Sequence, residues 1–396
     1  MKKILLVFSV ISLIMMGSCE RAPEGLSVNE DQSFVKTSVG DIVPGQYVVL
    51  LKDGVTSVKA AKLSYPDARI LMRSEMQKVL AASEITEKEP LQVYTASTEG
   101  FAVKLSEEEA MALEKNPGVL GVWPDRIVTL ARPVKPPTPL PAEVTPPGII
   151  RVGGGATYSG GHKAWIIDTG IDLTHPDLIV DVASGMTFVP RTTTPNDDNG
   201  HGTHCAGIIA AIDNEVGVVG VAAGATVVPV KVLDKRGSGY MSTIIAGVDY
   251  VIAEGEAGDV ANMSLGGGAY EPLDTKVIDM AKKGLFVALA AGNESDDANN
   301  HSPARANDPN IYTVSACDAS NKWAYFSNYG NPPIDYCAPG VYIFSLYKGG
   351  GTATMSGTSM AAPHVCGVLL ATGGNPHSDG LVIGDPDGNR DPIVHK

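Results

Sequence analysis

Five unbroken apolar runs constrain this chain more than any other feature: HKAWIID (162–168), ATVVPVKVL (225–233), DVANMSL (259–265), LFVALAAG (285–292) and NIYTVSAC (310–317). A strand with one wet face alternates apolar and polar residues. These runs do not alternate, so they suit strands buried on both faces of a parallel sheet. Parallel neighbours need crossover connections, and the segments near 202–212, 241–254 and 273–283 carry helical spacing. The pattern predicts an α/β three-layer unit over residues 148–396. A chain of 396 residues leaves room for a second domain.

That second unit lies upstream. RPVKPPTPLPAEVTPP (132–147) holds seven prolines in sixteen residues. Such a segment stays extended and resists compact packing, so it reads as a linker and a place for proteolytic processing. Before it, residues 43–131 predict strands at 46–52, 91–96, 100–105 and 119–130 and a helix at 67–83. A second helix opens at Ser106 with a capping box to Glu109 and runs to Lys115. The order β-α-β-β-α-β predicts a small α+β ferredoxin-like domain. It contains no Cys and no His and shows no catalytic cluster.

At the N-terminus, Lys2 and Lys3 precede the apolar run Ile4 to Met16, then Gly17, Ser18 and Cys19. This layout predicts an export signal over 1–18, too short for a membrane span, followed by a polar tether over 19–42. Met16 to Cys19 also resembles a bacterial lipobox, with Met16 in place of the usual Leu or Val. The resemblance implies lipidation of Cys19 and a precursor anchored to, not spanning, a membrane. Four further cysteines remain, and no CxxC spacing suggests a thiolate zinc site. Export permits disulfides. Cys317 and Cys337 are the expected pair if a bridge forms; the alternative is buried free thiols. The net charge of −14 argues against a nucleic-acid partner. It concentrates from Glu143 onward, where 27 acidic residues face 14 basic ones, consistent with solubility and cation binding.

Three motifs carry the chemistry: AWIIDTGID (164–172), NGHGTHCAG (199–207) and SGTSMAAPH (356–364). Each alone has a bland explanation. An Asp ending a strand is often a turn or cap residue. A His between glycines suits a tight turn; His201 and His204 as metal ligands would need a third ligand, and no HExxH pattern exists. Ser359 could be an N-cap. GTSMA also half-matches the GxSxG elbow, with Ala361 for the last Gly, but that fold needs its acid and His after the Ser and only 37 residues follow. Together the three are specific. A Ser hydroxyl is a weak nucleophile until a base takes its proton, and a His base needs a carboxylate to orient it and stabilise its cation.

In DTGID, HGTHCAG and GTSMAAPH the chain resembles the subtilisin-like serine proteases, over about residues 146–370; HGTHCAG is similar to the proteinase K branch. The resemblance implies a secreted serine endopeptidase of that three-layer fold, working through an acyl-enzyme on polypeptide substrates as a monomer. Asp168 would orient His201, His201 would be the base and Ser359 the nucleophile. Asn293, in AAGNES (290–295), would serve the oxyanion with the Ser359 N–H. Ser264, Leu265 and Gly266 would pair with extended substrate, and Ala290, Ala291 and Gly292 would wall the pocket for the residue before the cut. Glu294 at its rim would disfavour acidic side chains. The resemblance further implies structural calcium. A first site would use Asp177, the carbonyls of Ile212, Val216 and Val218, and the Asn214 side chain, with Glu143 in place of an N-terminal ligand. A second would use the Pro309 and Ile311 carbonyls with Asp335.

Residues 43–131 are similar to the inhibitor-type propeptides of that family, which assist folding and block the site. Self-cleavage would fall within about 131–147 and free the catalytic domain from any anchor on Cys19. The chain departs from the family in the short segment before Asp168. Its tail, 381–396, lacks a long C-terminal helix; GDPDGN (384–389) reads as turns, with Asp385 and Asp387 either a weak cation site or a solvated loop. Two other functions fit less well: a hydrolase of esters or of one dedicated protein, and a binding or inhibitor protein on a protease scaffold. The second would carry an altered triad residue, and none is altered.

Overall fold

The computed structural model describes residues 40–130 and 138–396. The expected signal (1–18), Cys19 and nearly all of the tether (19–42) lie outside the described residues. No helix among the described residues is long and apolar enough to cross a membrane.

The upstream unit folds in the expected order: β1 (Ile42–Leu51), α1 (Tyr65–Ala82), β2 (Pro90–Tyr94), β3 (Gly100–Lys104), α2 (Glu107–Glu114) and β4 (Val119–Thr129). The capping box that opens α2 is formed in both directions between Ser106 and Glu109. The strands pair antiparallel in the order β4-β1-β3-β2. One face of this sheet closes a core on α1 and α2 through Val49, Met72, Met76, Phe101 and Leu113. The other face presents Val48, Leu50, Tyr94 and Ala102 to the larger unit, whose core they join.

In the larger unit all five apolar runs are strands of one sheet. They are β5 (Ala164–Asp168), β6 (Thr226–Lys231), β8 (Val260–Met263), β9 (Phe286–Ala290) and β10 (Ile311–Cys317). A short strand β7 (Ser238–Tyr240) stands apart from that sheet. β11 (Ile334–Pro339) extends the parallel order to β11-β10-β9-β8-β5-β6. Helices cover both faces. On one lie α3 (His201–Ala210) and α6 (Thr358–Thr372), packed on each other. On the other lie α4 (Met241–Glu254) and α5 (Glu271–Lys282). A hairpin, β12 (Ile343–Tyr347) and β13 (Gly351–Met355), leads into α6.

Two expectations change at the edges. The tail is more than turns. β14 (His377–Leu381) and β15 (Pro392–His395) form a hairpin whose second strand runs parallel to β11 through the Cys337–Ile393 pair. Ile393 and Val394 are buried there, so a strand covers what a helix was not available to cover. Residues 384–389 between the two strands are turns, and Asp385 and Asp387 accept backbone N–H groups of that loop. The second change concerns the linker, of which residues 131–137 are outside the described residues. Residues 138–147 do not hang free. Thr138–Pro139 pairs with β13, Gly217 N donates to Pro141 O (2.9 Å), and Ala142 and Val144 bridge to Val216 and Val218. Proline cannot donate, but its carbonyl still accepts, and that suffices at an edge.

The Cys317–Cys337 bridge is not formed: all four described cysteines are free and buried. In the strand register Cys337 stands opposite Ser315 and Cys317 opposite Pro339, so the two thiols are diagonal neighbours in one buried cluster.

Candidate active site

Three element ends converge. Asp168 is the last residue of β5, fully buried. His201 is the first residue of α3. Ser359 is the second residue of α6. Glycines allow the approach. Gly200 before the histidine helix has φ 115°, and a Cβ there would sit 2.2 Å from the Tyr347 ring. A Cβ on Gly202 would lie 2.1 Å from Gly170 O, on the turn that follows Asp168. Gly202 makes room for α3 to lie against the end of β5, and Gly200 for Tyr347 at the end of β12.

His201 Nδ1 is 2.9 Å from each Asp168 oxygen. Burial alone would push this imidazole down; the adjacent Asp168 carboxylate outweighs it and holds the ring well above the ordinary histidine range. The Ser359 hydroxyl donates to the Ser264 carbonyl at 3.1 Å, and the Ser264 hydroxyl donates to Ser359 O at 2.8 Å. The end of β8 and the serine helix are thus pinned to each other. Asn293 Oδ1 accepts from Thr358 N (2.8 Å) and Thr358 Oγ1 (3.1 Å). With its oxygen occupied, the Asn293 amide has its NH₂ left to donate. The Cys205 thiol lies under the triad, 3.9 Å from His201 Nδ1 and 3.5 Å from Ser359 O, and burial pushes its pKa up. His204 plays no part: its Nε2 is 3.2 Å from the Ile343 and Ala353 carbonyls, and burial pushes it down to about 3. A buried His204 thus holds the β12–β13 hairpin.

A cleft of about 340 Å³ opens at Ser359 and Asn293. Leu265, Gly266, Ala290, Ala291 and Gly292 are among its lining residues; Ser264 is not, and pairs with Ser359 instead. Three contributors were not legible in the sequence. His301 lines the cleft and lies 3.6 Å from Glu294 and 3.1 Å from Asp296, and strand pairing of Ser302 with Gly267 is what brings it there. Thr129 and Leu130 of the upstream unit line it too. They are the end of β4, which pairs antiparallel with β7, and Leu130 N continues the ladder to Gly237 O at 2.9 Å. Asp197 is the third, buried under the start of α3.

The first expected cation site is assembled around one loop. Asp177 is buried and accepts from Asn214 Nδ2 (2.7 Å) and Val218 N (3.1 Å), while Glu143 accepts from Asn214 N. Burial, with the nearby Glu143 charge, raises Asp177 to about 6. Asn214 departs from expectation, because its side-chain oxygen is taken by Val216 N (2.7 Å). Two carboxylates meet on the N–H groups of one loop, and one of them is buried beside the charge of the other; hard carboxylate oxygens of that kind suit a hard cation. At the second site, Asp335 accepts from Thr313 N (2.8 Å), and burial raises it to about 6 as well. Pro309 and Ile311 stand at the start of β10 on the same edge.

Known proteins resemble this chain in sequence and in fold. The sequence pattern of the subtilase family matches residues 161–377, and that of the peptidase inhibitor I9 family matches residues 46–131. An extracellular serine proteinase of Thermus sp. (strain Rt41A) is 34% identical over 366 residues, 90% of this chain and 87% of that protein. Subtilisin E of Bacillus subtilis (strain 168) is 41% identical over 276 residues, 67% of this chain and 68% of that protein. Among solved structures, a cold adapted subtilisin-like serine proteinase superposes with a TM-score of 0.56 at 33% identity. It covers 63% of this chain and 98% of that one.

Proposed function

The chain belongs to the subtilase family of serine endopeptidases and carries an I9-type propeptide domain, and from that premise we propose that it is an exported zymogen which cuts itself and then other polypeptides through Asp168, His201 and Ser359. The observation that carries this reading is the His201 imidazole held 2.9 Å from both Asp168 oxygens, with Cys205 between it and the backbone of Ser359, which lines a cleft shared with Leu130. Asp168 keeps the Nδ1 proton on His201, so Nε2 is the basic nitrogen. His201 takes the Ser359 proton as Oγ attacks the scissile carbonyl. Asn293 Nδ2 and the Ser359 N–H receive the oxyanion charge. His201 then gives its proton to the leaving amine, and water repeats the sequence to release the acid.

Substrate enters as an extended strand between Ser264–Gly266 and Ala290–Gly292, where backbone groups supply the hydrogen bonds. The propeptide, residues 43–131, occupies the approach to that cleft through β4. Self-cleavage falls within 131–147; the pairing of Thr138–Pro139, Ala142 and Val144 to the catalytic body supports a cut in the N-terminal part of that range. Calcium would be held by Asp177 and Glu143 with the carbonyls of Ile212, Val216 and Val218, and at a second site by Asp335 with the Pro309 and Ile311 carbonyls. Its contribution there is to neutralise buried carboxylates and fix two surface loops. Upstream, residues 1–18 direct export, and lipid on Cys19 anchors the precursor until self-cleavage releases the catalytic domain.

Intact-mass spectrometry of the exported protein, before and after a fluorophosphonate probe, tests the reading beside Ser359→Ala. A mature species starting within 131–147 and one probe adduct are expected in the wild type, and neither in the variant. An uncut, unlabelled wild type in the presence of calcium would sink it.

A further inference from the structure

Asp197 belongs to none of the roles above, yet its carboxylate is buried and takes five hydrogen bonds. Its Oδ1 accepts from Thr169 Oγ1 (2.9 Å), Asn199 N (2.9 Å) and Gly200 N (2.8 Å). Its Oδ2 accepts from Thr203 N (3.0 Å) and Thr203 Oγ1 (2.6 Å). These donors come from two places. Thr169 follows the catalytic carboxylate; Asn199, Gly200 and Thr203 surround the catalytic histidine at the mouth of α3. The same Thr169 hydroxyl accepts from Gly202 N (2.9 Å), and Lys231 ties Thr169 O (2.5 Å) to Asp198 (2.6 Å). Asp197 is therefore the node at which the end of β5 and the start of α3 are fastened to each other.

We infer that Asp197 is a positioning residue, whose carboxylate fixes the Asp168–His201 register by gathering donors from both segments; the inference rests on the triad reading given above. Only an acceptor-only group can serve five donors at once. An amide there would turn an NH₂ toward donors on one side and loosen either the Thr169 link or the helix mouth. A displacement of about 1 Å in a catalytic group costs up to about 10²-fold in rate. The effect should fall on the chemical step, because none of these contacts reaches the cleft that binds the peptide.

Self-cleavage of the refolding full-length chain isolates that step, since the cut segment is already delivered by its own propeptide. In Asp197→Asn we expect self-cleavage slowed about 10- to 100-fold, with kcat of the mature enzyme lowered equally and KM within about twofold. Thr169→Val, which removes the hydroxyl shared by Asp197 and Gly202, should shift both rates the same way by less, and it decides the matter if Asp197→Asn does not fold. Asp391→Asn is the control for stability alone: that buried carboxylate binds Ser315 and Asn331 and makes no hydrogen bond to the triad, to Asp197 or to the donors of Asp197. It should lower Tm and leave both rates unchanged. Wild-type rates in folded Asp197→Asn, a change confined to KM, or an equal slowing in Asp391→Asn would overturn the inference. Self-cleavage by Ser359→Ala would instead overturn the triad reading on which it stands.

Discussion

A histidine in a site this dry would ordinarily lose its proton easily. Burial lowers His201, but Asp168 at 2.9 Å reverses the sign and stabilises the imidazolium. The pH consequence follows from that sign. A raised folded pKa means the pair's stabilisation is complete below the unfolded histidine value and is lost as pH rises through the folded one. Catalysis needs the opposite form, because only neutral His201 can act as base. We expect kcat/KM to climb on an acidic limb whose midpoint lies above the ordinary histidine value of about 6.5. In Asp168→Asn that limb should move down and kcat should fall about 10⁴-fold. A limb that stays in place in the variant would remove Asp168 as the cause. Neighbouring His204, with two carbonyls and no carboxylate beside it, is held near 3 and stays neutral throughout this range.

Among the elements, the loop between α3 and β6 is stabilised by contacts remote in sequence. Glu143 and Asp177 approach it from two other segments, and burial with the Glu143 charge raises Asp177 to about 6. A carboxyl raised in the folded state favours folding while protonated, and that contribution disappears as pH rises through about 6. A bound cation reverses the penalty for the charged form. We therefore expect the Tm difference between calcium and chelator to widen from pH 4.5 to pH 7.5, by several degrees. Asp177→Asn should flatten it. Equal Tm values with calcium and chelator at pH 7.5 would refute the cation reading of this loop.

At the scale of the whole molecule, the two units are joined by charge as well as by apolar packing. Asp249 on α4 accepts from Thr95 N (2.8 Å) and Ala96 N (2.9 Å), and Lys276 on α5 binds both Asp249 and Ala96 O at 2.6 Å. Neither member of that ion pair is exposed. Breaking it would leave an unpaired buried charge, so it is a poor probe of docking. Asp279 is a better one, since it binds only Thr98 N (3.1 Å) and Thr98 Oγ1 (2.7 Å) of the propeptide. Hydrogen bonds to a charged acceptor contribute about 1.5–3 kcal/mol. Asp279→Ala should weaken retention of the cut propeptide about 10- to 100-fold. It should shorten the lag between self-cleavage and peptidase activity without altering the final rate. A lag unchanged from wild type would show that docking does not depend on this contact.

Much of this molecule was legible in one sequence because it is local. Doubly buried strands announce themselves as unbroken apolar runs, a capping box occupies four consecutive residues, and Asp168, His201 and Ser359 each sit in a short motif whose glycines serve the turn beside them. What stayed hidden depends on pairing between distant segments. His301 reaches the cleft because Ser302 pairs with Gly267, and Leu130 because β4 adds to β7. Cys317 and Cys337 become diagonal neighbours through the register of β10 and β11, a property of two strands and not of either one. Residues 138–144 of the proline-rich segment are anchored by carbonyls and N–H groups that only a neighbouring edge could use. Asp197 shows the division most clearly: its carboxylate lies within one loop of sequence, but its work is to join two element ends that the chain alone does not bring together. Residue type determined which groups could do chemistry here, and tertiary register decided which of them meet, because hydrogen bonds and ion pairs act only over a few ångströms.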